Sequence, residues 1–417
     1  MSSSTDSATS TTSSSSGDMS GGASSGTASA SSMPDVTILQ SNIAQPSVYA
    51  YPGETLGRDE MRVTIAGSGM GNLVRRSQAA CSIFVELGNG DSFVFDLGIG
   101  SFVNYQSMMI PMSRTSKLFF SHLHMDHMND LPAMYAFGPS GGRYAPLRVW
   151  GPSGQTPELG IKASIAGMKQ FCHWHTTSFE ASQPIDGSYD IEVTELDYRL
   201  NPGIAYEENG VKITHWPALH VIDGAISYRL DWNGLSFVWS GDTEPNQFFV
   251  ENAQNVDLIM HETFPSLMRF EEVYPGTEQS YEGNVSTSHT TALCYGKVLS
   301  LTRPRYAVTN HCVVDDQEVA AIISDIRVNW KGPYQIGSDF MVFTVSKDAI
   351  TARRAAINEQ SWGANIGTPR TSTAPLDSDD FRSPEIFDRA ITDCGPGCST
   401  TSSDSSDNVS TTSTVTD

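Results

Sequence analysis

The ten residues from Ser121, SHLHMDHMND, hold three of the chain's ten histidines and two aspartates, directly after the apolar run LFF. On an extended segment residues two apart face the same way, so His122 and His124 at a strand end can grip one ion. The turn that follows lets Asp126 and His127 swing to the opposite side, so one short loop can serve two ions. Imidazole and carboxylate suit zinc and its first-row relatives, and the flanking Ser, Met, Asn and Pro permit the strand to stop where the ligands sit. A lone loop histidine is most often merely solvated, whereas four ligand-type residues in six positions form a metal pattern.

The elements that must position this loop read as two strand-rich halves. MRVTIAGSGM is a strand entering a glycine turn, CSIFVEL and SFVFDLG are strands joined by Gly-Asn-Gly, and KLFFS delivers the histidines. LRVWGPSG is one more strand, followed by mixed helical and loop sequence to about Tyr198. A second series follows: VKITHWPAL, a hairpin AISYRLDWNGLSFVWSG turning at Asn233-Gly234, VDLIMHE, a helix-like HTTALCYGKVLSLT, YAVTNHCV and FMVFTVS. Two such halves imply an α/β sandwich, sheets inside and helices outside. One domain over residues 35–367 is expected, flanked by Ser/Thr-rich tails at 1–34 and 368–417 that are too poor in apolar residues to order.

A net charge of -22, from 25 Lys+Arg against 47 Asp+Glu, repels polyanions unless positive charge is gathered locally or supplied by metal, so bulk nucleic-acid binding is disfavoured. No stretch has the length of a membrane span and the N-terminus lacks a secretory pattern, so a cytoplasmic protein is expected. Six cysteines are too few for a disulfide framework; Cys81, Cys172, Cys294 and Cys312 are expected as buried thiols, and the Cys394 and Cys398 pair has no metal-ligand neighbours in sequence.

HLHMDH resembles the signature of the metallo-β-lactamase superfamily, and the longer SHLHMDHMNDLP resembles its ribonuclease Z-type branch, which includes arylsulfatase-like and phosphodiesterase-like hydrolases. The resemblance continues in order over roughly Met61 to Ser346: GSGMGNLVRRS, FDLGIG at Phe95, VWGPSG at Val149, LHVIDG with His220, SGDTEPN with Asp242, MHETF with His261 and Glu262, SHTT with His289, and TNHCV with His311. It implies a four-layer αββα fold and two divalent ions, zinc first. One site would be His122, His124 and His220, the other Asp126, His127 and His311, with Asp242 bridging. Two ions ~3.5–4 Å apart hold a bridging hydroxide at neutral pH and bind the oxygens of an anionic ester.

By the same resemblance His289 acts near the leaving group, a role weighed against helix capping by Ser288 or Thr290. Glu262 is the candidate to orient a neighbouring group, and Asp96 has a similar supporting or turn-fixing duty. Arg76 corresponds to an arginine near phosphate, where a planar guanidinium would clamp the substrate; a solvated arginine is the alternative. His173 and His175 repeat the H-x-H spacing without a following Asp-His, so with Trp174 they read as partly buried aromatics; His215 has no assignment. Met108, Met109 and Met112 read as core or rim packing.

The expected function is hydrolysis of a small or medium anionic ester, a phosphodiester or aryl sulfate, catalysed through Asp126, His289 and Glu262. Members of the branch that process tRNA 3′ ends carry a long Gly/Pro- and Lys-rich arm near here, whereas residues 229–241 between Tyr228 and Asp242 form a plain hairpin. Ribonuclease Z-type tRNA processing is therefore the alternative, with iron-dependent dioxygenase chemistry on the same fold as another. The branch also leaves a homodimer open.

Overall fold

A computed structural model describes residues 48–71, 75–182, 187–264 and 288–360, with isolated positions Glu271, Gly276 and Ser383. The expected tails, 1–34 and, apart from Ser383, 368–417, and the cysteines 394 and 398 lie outside the described residues.

The first sheet has nine strands in the order β1-β16-β15-β2-β3-β4-β5-β6-β7. These are β1 (Tyr49–Ala50), β2 (Met61–Gly67), β3 (Ser82–Leu87), β4 (Ser92–Phe95), β5 (Lys117–Phe119), β6 (Leu147–Pro152), β7 (Ile191–Leu196), β15 (Met341–Val345) and β16 (Ile350–Ala355). The second has seven, β14-β13-β12-β11-β10-β9-β8. They are β8 (Gly203–Glu208), β9 (Val211–Pro217), β10 (Ile226–Trp232), β11 (Leu235–Trp239), β12 (Leu258–Glu262), β13 (Tyr306–Asn310) and β14 (Tyr334–Ile336).

The inner layer is apolar because alternate residues of both sheets meet there: Val63, Ile83, Phe95 and Phe119 from one, Ile213, Tyr228, Phe237 and Met260 from the other. Phe119 stacks on Trp150 with ring centroids 4.5 Å apart. A second core lies beneath α1 (Ser101–Ser107), α3 (Leu131–Phe137) and α4 (Ile161–Ser182) and includes Met108 and Met112. A third lies beneath α5 (Gln247–Asn252), α6 (Ala292–Thr302) and α7 (Asp316–Asn329). Helices thus cover the outer face of each sheet, giving the expected four layers. No described helix is long and apolar enough to cross a membrane.

Strands β4 to β7 run parallel, as do β11 to β14. Parallel strands deliver their C-terminal ends to one edge, which is where the loops of an α/β sheet form sites. The hairpin at Asn233-Gly234 is as expected: φ values of 51° and 77° at the two turn residues suit a tight turn between β10 and β11.

Two expectations need correction. Trp174 is 82% exposed and His173 is exposed, because they sit on the outer face of α4, so they are not partly buried aromatics. His175 is half-buried, stacked on Phe179 and bonded to the Ala136 carbonyl. Cys294 is only half-buried, since it lies in the first turn of α6; Cys81, Cys172 and Cys312 are buried.

Candidate metal centre

β5 ends at Phe119, and α2 (Met125–Met128) begins directly after His124, so the intervening chain leaves the strand and turns within five residues, 120–124. His220 comes from the loop joining β9 to β10, Asp242 from the loop after β11, and His311 from the residue following β13. His311 holds a left-handed φ of 49°, which turns its ring from the sheet toward the centre.

These residues form two clusters. Ligand atoms of His122, His124, His220 and Asp242 lie within 4.8 Å of one another, and so do those of Asp126, His127, Asp242 and His311. Asp242 belongs to both. Its Oδ1 is 3.3 Å from His127 Nε2, and its Oδ2 is 3.4 Å from His311 Nε2, 3.8 Å from His122 Nε2 and 3.9 Å from His220 Nε2.

Surrounding hydrogen bonds set the tautomers of His127, His122 and His220. Asp96, held at φ 56° after β4, accepts from Ser121 N at 2.7 Å, Ser121 Oγ at 2.8 Å, Trp239 Nε1 at 2.7 Å and His127 Nδ1 at 2.9 Å. His127 Nε2 is therefore the lone-pair nitrogen. Because the Ser121 hydroxyl proton goes to Asp96, its oxygen accepts from His122 Nδ1 at 3.1 Å, and His122 Nε2 is likewise bare. His220 Nδ1 donates to the Ser288 carbonyl at 2.7 Å, which leaves its Nε2 facing His124 Nδ1 at 3.2 Å.

With these rings neutral, the bare Nε2 atoms of His122, His127 and His220 face the Asp242 carboxylate at 3.3–3.9 Å. His127 Nε2 and Asp242 Oδ1 are buried with no hydrogen-bond partner, although buried polar groups are nearly always paired. A cation satisfies such an array, and the donor set of five imidazoles and two carboxylates suits first-row divalent metals. Burial pushes His122 well below the usual histidine range and His220 down to about 4, keeping both neutral, the form that binds a cation. Burial opposes protonation of His127 as well, but Asp242, Asp126 and Asp96 raise it well above that range. In the ion-free chain that proton sits on Nε2, toward Asp242, in the place a cation would take, and the lone pair faces the centre once the proton leaves.

Gly71 N donates to Asp126 Oδ2 at 2.7 Å, so the glycine turn after β2 orients this carboxylate. Glu262, fully buried at the end of β12, accepts from Thr243 N at 2.8 Å and from His289 Nδ1 at 3.0 Å. It touches His289 and the Asp242 loop. Burial works against a charged His289, yet the Glu262 carboxylate prevails and lifts it to about 9. The His289 ring stacks on Phe264 at 4.6 Å and lies 5.0 Å from that of His220.

All seven expected ligands are brought together, with Glu262 and His289 beside them. Arg76 is exposed in the turn between the bridged residues Arg75 and Gln78, and Arg75 is tied to the Val314 carbonyl. His173, His175 and His215 also stand apart from the clusters. His215 is buried with neither ring nitrogen paired, and burial lowers it to about 4. Sequence reasoning missed Trp239, Ser121 and Gly71 as supports. Ser121 and Gly71 lay within motifs already singled out, whereas Trp239 preceded SGDTEPN and read as core.

No family model matches the chain. It is 25% identical over 238 residues to Ribonuclease BN of Erwinia tasmaniensis, covering 48% of this chain and 76% of that protein. It is 24% identical over 293 residues to Ribonuclease Z of a Synechococcus strain, covering 61% and 91%. The structure superposes on the metallo-beta-lactamase fold protein YhfI from Bacillus subtilis with a TM-score of 0.52 at 15% identity, over 69% of this chain and 100% of that one. Human tRNase Z, short form, gives 0.50 at 17%, over 67% and 98%. These superpositions speak for the fold, and the curated relatives carry the ribonuclease Z and BN names in common. Sheet order, clustered ligands and relatives agree on a metallo-β-lactamase fold similar to the ribonuclease Z branch, and on a metal-dependent, ester-cleaving hydrolase.

Proposed function

We propose that the chain holds two divalent ions, zinc first, and cleaves a small or medium anionic ester, a phosphodiester or an aryl sulfate. The observation that carries this is the pair of clusters sharing Asp242, which gather five imidazoles and two carboxylates with the ligand atoms of each cluster within 4.8 Å of one another. His122, His124 and His220 would hold one ion and Asp126, His127 and His311 the other, with Asp242 between. When bound, the ions supply Lewis acidity and a water activated at neutral pH.

The protein's own residues do the rest. Asp96 and Ser121 hold the histidine tautomers, and Gly71 N orients Asp126. His289, protonated through Glu262, is anchored by Nδ1, which leaves Nε2 to donate to the departing oxygen. No step is assigned to Arg76, which is exposed.

The second reading, endonucleolytic trimming of precursor tRNA, is favoured by the names of the curated relatives. Against it stand the net charge of -22 and the two-residue turn at Asn233-Gly234, which leaves no arm between β10 and β11. Residues 265–287, apart from Glu271 and Gly276, lie outside the described residues.

A panel of bis-p-nitrophenyl phosphate, p-nitrophenyl sulfate, a lactone and precursor tRNA on metal-replete protein separates these readings, with metal analysis alongside. Two zinc equivalents and turnover of the diester or the sulfate are expected; one iron would point to oxidative chemistry instead. Asp126→Ala should abolish turnover, and His289→Ala should lower kcat by about 10²–10⁴-fold. Turnover of precursor tRNA alone would select the second reading, and turnover indifferent to Asp126→Ala would remove both.

A further inference from the structure

We propose that the cavity beside His122, His124 and His220 is a subsite for the retained substituent of the ester. The substrate class it selects is a monoanionic diester with one apolar aryl or alkyl group there, rather than a polyanionic strand. This rests on the hydrolase reading above.

The cavity measures about 280 Å³. That is at the lower edge of the ~300–1,000 Å³ that encloses a drug-sized ligand, so it suits one substituent and not a chain of nucleotides. Its two walls come from separate elements. Leu159, at the end of the 3-10 turn Pro157–Leu159, and Pro152, at the end of β6, form one; Ile222, from the β9–β10 loop that also carries His220, forms the other. Leu159 is 48% and Ile222 58% exposed, so large aliphatic side chains stand in water at the mouth of a polar centre, where an apolar group would cover them.

The charge lining points the same way. Among the described residues the cavity contains Glu158 and Asp223 and no lysine or arginine. The reacting anion can be met by bound cations, but a second anionic group lodged here would meet two carboxylates. A nucleic-acid strand carries such a group on every neighbouring nucleotide. His289 does not line the cavity although its ring is 5.0 Å from that of His220, so the group lodged there is the one retained and not the one that leaves beside His289.

The test uses three diesters with one leaving group, the methyl, phenyl and 4-carboxyphenyl esters of p-nitrophenyl phosphate, on the metal-replete full chain. The phenyl ester should exceed the methyl ester in kcat/KM by about tenfold or more, the discrimination apolar pockets reach. The carboxyphenyl ester should fall about tenfold or more below the phenyl ester, on the same ground.

Ile222→Asp and Leu159→Asp should drive the phenyl-to-methyl ratio toward one, and Glu158→Lys should narrow the gap between phenyl and carboxyphenyl esters. Ratios within one variant do not depend on how much of it folds. Calorimetric titration with phenylphosphonate, methylphosphonate and 4-carboxyphenylphosphonate should give the same order of affinity without turnover. Turnover of all three esters at equal kcat/KM, or a carboxyphenyl ester preferred to phenyl, overturns the subsite and leaves the hydrolase reading standing. Turnover of none, with two ions bound, overturns the subsite; if p-nitrophenyl sulfate is also left intact, it overturns the hydrolase reading as well.

Discussion

Asp96 has two carboxylate oxygens and four donors, and it joins four parts of the chain: the β4 end it sits on, Ser121, His127 and Trp239. Only an acceptor on both sides satisfies them. In Asp96→Asn the amide must turn two hydrogens toward donors, leaving buried groups unpaired at about 1–3 kcal/mol. It also loosens the ring of His127, and removing such a partner typically costs about 10–100-fold in metal affinity. Competition with a chromophoric chelator should show that loss, and a denaturant midpoint should show the lower stability. The ligands themselves were legible because their spacing is local, His122 to His127 in one loop. His220, Asp242 and His311 were legible only through resemblance, since nothing within their own loops says that 96 or 185 residues of separation close to hydrogen-bond range. Trp239 looked like a core residue, and its ring is in fact fully buried; only its nitrogen serves the site.

The loops that carry these groups are fixed by close backbone approaches between elements. Gly98, in the FDLGIG turn after β4, shows the constraint: a Cβ there would sit 1.9 Å from the Asp126 carbonyl oxygen and 2.8 Å from the Ala80 Cβ. The obstacle is backbone, so the metal-bearing turn itself must move. Gly98→Ala should destabilise by about 1–3 kcal/mol, the usual cost of overpacking, and should weaken ion binding with it. Isothermal titration with zinc beside thermal unfolding would reveal both effects; a variant binding zinc as wild type does would show that the approach does not matter. The strands that frame this turn could be read directly, since β2 to β5 are short apolar runs bounded by turns. Edge strands could not. β7 alternates exposed and half-buried residues around its glutamates, and β8 is broken by a register shift between Ile204 and Tyr206, so neither offers a continuous apolar signal. α7 was missed for a related reason: Ile322 and Ile326 are its deeply buried apolar positions, a thin stripe on an otherwise polar helix.

The two halves of the chain meet at the metal centre, because the clusters draw on loops from both sheets: Asp126 and His127 follow β5, while His220, Asp242 and His311 belong to the second. Bound ions therefore link the sheets, and the folded state binds them in a geometry that the unfolded chain does not hold. An ion present at 100 times its Kd then adds about 2.7 kcal/mol per site. For a domain of about 300 residues each kcal/mol moves Tm by about 1.5 °C, so occupancy should raise Tm by about 4 °C per site. Calorimetry of the same preparation, zinc-loaded and after chelation, measures it, with Asp242→Asn as the comparison. Because Asp242 is common to both clusters, this variant should lose most of the zinc-dependent rise, whereas Asp126→Ala should lose the part that belongs to the His127 and His311 side. A zinc-dependent rise equal in all three proteins would mean that the stabilising ion sits elsewhere than between these sheets.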